Sequence, residues 1–97
     1  MKVSVRFFTY LREITNKKEE TLTFNASEAV TIRKVLQKLS KRYGKAFDNY
    51  VFDEETGEVK SFLQFFINGR NLAANEGLNA KLSDGDVLAI VPPVGGG

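Results

Sequence analysis

One stretch limits what this chain can fold into. Ile32, Val35, Leu36, Leu39 and Tyr43 recur at steps of three, one, three and four, which makes a single apolar stripe on a helix. Thr31 stands before the stripe as an N-cap, with Val30 as a staple, and Gly44 is a natural stop. Arg33, Lys34, Lys38, Lys41 and Arg42 take the remaining positions and crowd the C-terminal half, where they complement the helix dipole. We read that basic face as solvated surface. This is the one clear helix, and its stripe needs an apolar sheet face to cover it.

The strands that supply such a face are legible as period-two alternation. Val3, Val5 and Phe7 face inward along Lys2–Phe8, which leaves Phe8 on the polar side. Thr9–Ile14 reads as a helical turn carrying Leu11 and Ile14, followed by a polar loop to Glu19. Glu20–Phe24 reads as an antiparallel neighbour with Leu22 and Phe24 inward. Lys45–Asn49 is expected to be a connection with Phe47 buried. Tyr50–Phe52 and the run from Val59 are expected to pair as a hairpin turned at Thr56-Gly57. Leu63–Ile67 is a strong strand ending in an Asn68-Gly69 turn, and Leu72, Leu78 and Leu82 anchor an irregular crossing. Asp84-Gly85-Asp86 then turns into Val87–Val91, with Leu88 and Ile90 inward. The first and last strands are richest in apolar residues, which suits central, parallel positions. The fold class is therefore α+β: a mixed sheet of four or five strands over one main helix.

Composition excludes more than it suggests. The chain has no Cys and no His, which removes disulfides, thiol nucleophiles, imidazole bases and soft metal ligands. Net charge is +2 with both signs interleaved, so no nucleic-acid partner is expected. Asp53-Glu54-Glu55 lacks the alternating oxygen ligands of a calcium loop, and no metal is expected. No apolar run approaches a membrane span and no signal-peptide core opens the chain, so we expect a cytoplasmic protein without a membrane partner. Any chemistry falls to a carboxylate, a lysine or the chain terminus; the chain lacks catalytic machinery of its own.

The terminus is where the pattern points. Pro92 cannot continue a central strand, and Pro93 keeps the chain extended. Val94 and three glycines, Gly95, Gly96 and Gly97, complete an arm that core packing cannot use. We divide the chain into a domain over 1–91 and an extended tail over 92–97 that reaches roughly 20 Å. A frayed end is the bland alternative. Phe8, Phe66 and Val91 share the parity opposite to the core and are expected to form an outward patch near the base of the tail, a candidate partner interface.

The run Leu82-Ser83-Asp84-Gly85-Asp86 through Pro92-Pro93-Val94-Gly95-Gly96-Gly97 resembles the C-terminus of the small subunit of molybdopterin synthase (MoaD-like). Val5–Glu13 resembles that family's first strand and turn, and Asn68-Gly69-Arg70 its central turn. Gly95 makes three glycines where two are usual, and Lys45–Ser61 is longer than in the shortest members. The resemblance implies a ubiquitin-like β-grasp fold. It also implies that the Gly97 carboxylate is adenylated with ATP by a separate activating enzyme (MoeB-like) and converted to a thiocarboxylate with sulfur from a donor protein. The tail would then enter the large synthase subunit (MoaE-like) and give its sulfur to a pterin precursor of the molybdenum cofactor. No cofactor is expected on this chain, since the ATP is the partner's. Ordering the arm costs of order 1–2 kcal/mol per residue, which the outward patch would offset. Two alternatives stay open. One is a carrier or modifier that serves tRNA thiolation, thiamine synthesis or lysine conjugation. The other is a non-catalytic interaction module with an inert tail.

Overall fold

Val3, Val5 and Phe7 are completely buried along β1 (Lys2–Phe7), as their alternation requires. The structure is a computed structural model that describes residues 1–72 and 77–92. β2 (Glu19–Thr23) pairs antiparallel with β1 and carries buried Leu22 on the same face. β5 (Val87–Val91) lies parallel to β1, with Val5 opposite Leu88 and Phe7 opposite Ile90. β3 (Gln64–Ile67) pairs antiparallel with the other edge of β5, and β4 (Arg70–Asn71) closes a hairpin with β3. The sheet order is β2-β1-β5-β3-β4, so the first and last strands are central and parallel, as their apolar content predicts.

α2 (Ile32–Tyr43) lays Ile32, Val35, Leu36 and Leu39 into the inward face of this sheet. Thr31 caps it by accepting the Lys34 backbone N–H at 3.3 Å. The crossing segment ties down the same end: Leu82 N–H donates to the Val30 carbonyl at 2.8 Å, and Ile32 N–H to that of Ala80 at 3.1 Å. Two turns interlock ahead of β5. Asn68 donates to Asp86 at 3.0 Å and accepts from the Val87 N–H at 2.9 Å, so the β3–β4 turn positions the start of the last strand. Among the described residues no helix is long and apolar enough to cross a membrane.

Two expectations need correction. Lys45–Val51 is not a connection leading into a strand but a third helix, α3, and α1 (Tyr10–Thr15) packs against it. Phe47 and Val51 stand one helical turn apart and are both fully buried. That burial overrides the β preference of Tyr50-Val51-Phe52. The expected hairpin shrinks to one bridge, Phe52 with Val59, around an Asp53–Gly57 turn. Glu20 also shares the inward side of β2 and is buried. Tyr43 donates to its carboxylate, the Arg42 guanidinium pairs with it, and Lys17 lies at 3.4 Å. The cluster joins the sheet edge to the end of α2, a role the polarity of Glu20 concealed.

Candidate functional site

The site is built where β5 runs out. Because β1 is parallel to β5 and β3 antiparallel to it, the end of β1, the end of β5 and the start of β3 meet at one end of the sheet. Val91 pairs with Gln64, and Pro92, which has no N–H to extend the ladder, is itself buried. Pro93, Val94, Gly95, Gly96 and Gly97 lie outside the described residues.

The chain turns sharply just beyond β1. Leu11 N–H closes on the Phe8 carbonyl at 3.1 Å, with Thr9 at the corner in a positive-φ conformation (φ 50°, ψ −118°). Such a corner usually holds Gly. Arg12 on α1 then reaches back, donating from Nε to the Phe7 carbonyl at 2.9 Å, with its guanidinium 5.5 Å from the Phe8 ring centre.

The register orders the outward face of the strands. Glu19, Arg6, Ala89, Phe66 and Asn71 fall in one row across the sheet, and Val91 pairs with Gln64 two residues further along β5. Phe66 and Val91 therefore belong to the same face of adjacent strands, each half-buried. Phe8, also half-buried, stands one residue past the Phe7–Ile90 pair.

A second group of aromatic side chains escaped the sequence reading. Tyr10 and Phe62 are the exposed large hydrophobic residues among those described, at 52% and 42%. Tyr50 on α3 lies between them, 5.0 Å from Tyr10 and 5.9 Å from Phe62 between ring centres. Burial pushes the Tyr50 hydroxyl above its ordinary pKa, an effect that the neighbouring Thr9 opposes. The Lys60 ammonium sits 6.0 Å from the Phe62 ring centre and donates to the Asn49 carbonyl at 2.6 Å. Reading Tyr50 as a strand residue hid this arrangement, because only the turn of α3 brings it between Tyr10 and Phe62.

A groove of about 920 Å³ lies elsewhere, between the end of β2 and α2. Thr23 at its rim pairs with Lys2 at the start of β1, so the groove is at the opposite end of the sheet from Val91. Two of its lysines are engaged: Lys34 pairs with Glu28 at 3.0 Å, and Lys38 donates to the Thr23 carbonyl at 2.7 Å. Among the described residues no three carboxylates gather as metal ligands.

Comparison with known proteins agrees with the architecture. The ThiS family matches residues 5–97. The chain is 31% identical over 97 residues to small archaeal modifier protein 3 of Haloferax volcanii, with both chains covered completely. It is 35% identical over 71 residues to a putative sulfur carrier protein of Archaeoglobus fulgidus, covering 73% of this chain and 78% of that one. The solution structure of small archaeal modifier protein 1 from Methanosarcina acetivorans matches with a TM-score of 0.81 at 30% identity, over 99% of this chain and 96% of that one. A putative molybdopterin converting factor, subunit 1, from Pyrococcus furiosus matches with a TM-score of 0.71 at 27% identity, over 96% and 98%.

Proposed function

This chain belongs to the ThiS family of ubiquitin-like β-grasp proteins, and on that premise we propose that it is a sulfur carrier whose working group is the carboxylate of Gly97. The observation that carries the reading is the tail itself: a strand at the centre of the sheet ends at Pro92, and Pro93-Val94-Gly95-Gly96-Gly97 follow. A carboxylate is a poor electrophile. A carboxylate oxygen attacks the α-phosphorus of ATP on a separate adenylating enzyme and expels pyrophosphate. A hydrosulfide equivalent from a sulfur donor protein then attacks the carbonyl carbon, and AMP leaves with the C–O bonding pair. The product is a thiocarboxylate on Gly97. Gly96 and Gly97 carry no side chains, which lets the arm enter a narrow channel and bring its reacting carbon to the partner's groups.

The acceptor we favour is a pterin precursor held by a large synthase subunit. The Pro-Pro-Val-Gly ending and the likeness to the Pyrococcus furiosus protein support this choice. The thiocarboxylate sulfur attacks a side-chain carbon of the precursor and forms a C–S bond as the C–O bond there breaks, its oxygen leaving with the bonding pair; water then cleaves the acyl–sulfur bond, which leaves sulfur on the pterin and restores the Gly97 carboxylate. Phe8, Phe66 and Val91 would meet the large subunit as the tail enters it. A second reading has its own support in the full-length identity to small archaeal modifier protein 3. In that reading a lysine amine attacks the carbonyl carbon of the Gly97 adenylate, AMP leaves with the C–O bonding pair, the amine loses a proton, and an isopeptide forms.

Intact mass of the protein isolated from its own cells without reductant tests the proposal. A population heavier by one sulfur-for-oxygen exchange, located at Gly97 by fragmentation, is expected. Only free carboxylate, even after incubation with ATP, the adenylating enzyme and sulfide, would overturn the carrier reading. Conjugates that leave Gly97 on the lysines of other proteins, with no sulfur transferred to pterin, would favour the second reading.

A further inference from the structure

We propose that Tyr10, Tyr50 and Phe62 form the docking surface for the adenylating enzyme, whose channel mouth would present an apolar lip bordered by carboxylates. The inference rests on the carrier reading above and adds the contact that delivers the tail.

The location carries the argument. Gln64 pairs with Val91 and Phe7 with Ile90, so Phe62 and Tyr10 lie just beyond paired positions on both strands that flank β5. Both therefore lie toward the end of the sheet at which β5 gives way to Pro92. Five residues remain to Gly97, and even a fully extended run of five spans at most about 17 Å. An enzyme that takes the Gly97 carboxylate to its nucleotide must therefore rest its channel mouth against the residues around Pro92.

The chemistry of the surface agrees. Three rings in sequence, 5.0 and 5.9 Å apart between centres, offer large and rigid contact area at little entropic cost. Their exposure is not required by the core, which Phe47 and Val51 already fill beneath α3. Lys60 beside Phe62 and Arg12 beside Phe8 set cations at the margin, which calls for acidic residues opposite. Two tyrosine hydroxyls keep the surface compatible with water between encounters, as suits a partner that must leave after each turnover. The helices carry Tyr10 and Tyr50, whereas Phe66 and Val91 belong to the outward strand face. A carrier that meets an activator and then an acceptor gains from having two such surfaces around one tail.

The experiment is ATP–pyrophosphate exchange by the adenylating enzyme purified from the cells that make this chain, with the full-length chain as the varied substrate. Tyr10→Ser combined with Phe62→Ser should raise KM for the carrier by about tenfold, with kcat within about twofold of wild type. Arg33→Ser, on the exposed side of α2, should leave both unchanged, and Phe66→Ser reads the outward strand face for comparison. Lys60→Glu should raise KM and weaken its dependence on salt. Unchanged KM in the double variant, or a rise confined to Phe66→Ser, would overturn the assignment. If the double variant loses its cooperative melting transition, Lys60→Glu and the two single variants decide by the same criterion. No exchange with wild-type chain would instead remove the carrier reading and this inference with it.

Discussion

Thr9 occupies a turn corner that favours glycine, at φ 50° and ψ −118°. Holding a Thr there costs about 1–3 kcal/mol, and the turn it makes places Phe8 and Tyr10 beside the end of β5. Thr9→Gly removes that strain but adds about 0.5–1 kcal/mol of chain entropy to be lost on folding. The variant should be more stable by up to about 2 kcal/mol in urea unfolding; a lower urea midpoint would show that the surroundings of the Thr9 side chain outweigh the backbone. Asp53 is a second residue-level case. The Thr56 and Glu55 backbone N–H groups donate to its carboxylate at 3.1 and 2.9 Å and hold its pKa below the usual carboxylate value. A lowered folded pKa means stability that is present above the unfolded value of about 3.9 and is lost as pH falls through the folded one. Asp53→Asn lacks that contribution, so the stability curves of the two proteins should converge as pH falls through the folded pKa of Asp53. Parallel curves from neutral pH down to acid would reject this account of the turn.

At the scale of elements, Gly44 ends α2 and begins α3 at φ 71° and ψ −147°, with its N–H donating to the Ser40 carbonyl at 2.8 Å. A Cβ built there meets nothing within 4 Å, so the cost of a side chain is backbone strain alone. Gly44→Ala should cost at least about 1 kcal/mol, read as a lower urea midpoint with an unchanged slope. A neutral result would mean that the α2–α3 junction relaxes freely. The junction matters because it fixes the direction of α3, and α3 sets Tyr50 between Tyr10 and Phe62. The same element marks where sequence reading stops. Tyr50-Val51-Phe52 has strong β preference, and the helix wins because Phe47 and Val51 bury together on one face. Alternation along β1, β2, β3 and β5 was readable because one face of each is buried and the other is not.

For the whole molecule, packing and proposed chemistry are separable. The buried cluster runs from Val3 to Ile90, and the reacting group is placed at Gly97. Deleting Gly96 and Gly97 should leave unfolding free energy within about 0.5 kcal/mol of wild type and abolish sulfur transfer. Retained transfer would return the tail to an inert role, and a large loss of stability would tie those glycines to the core. Sequence alone determined the α2 stripe with its Thr31 and Gly44 limits, the inward sets of four strands, and the proline stop after Val91, because each depends on local periodicity or on backbone chemistry. Tertiary structure decided what depends on distant partners: α3 in place of a strand, Glu20 buried against Tyr43 and Arg42, and Tyr10, Tyr50 and Phe62 gathered from three separate segments. Local sequence carries no record of those meetings, since each side chain satisfies its own neighbourhood and it takes the parallel pairing of β1 with β5, the antiparallel pairing of β3 with β5 and the packing of α1 on α3 to bring the three segments together.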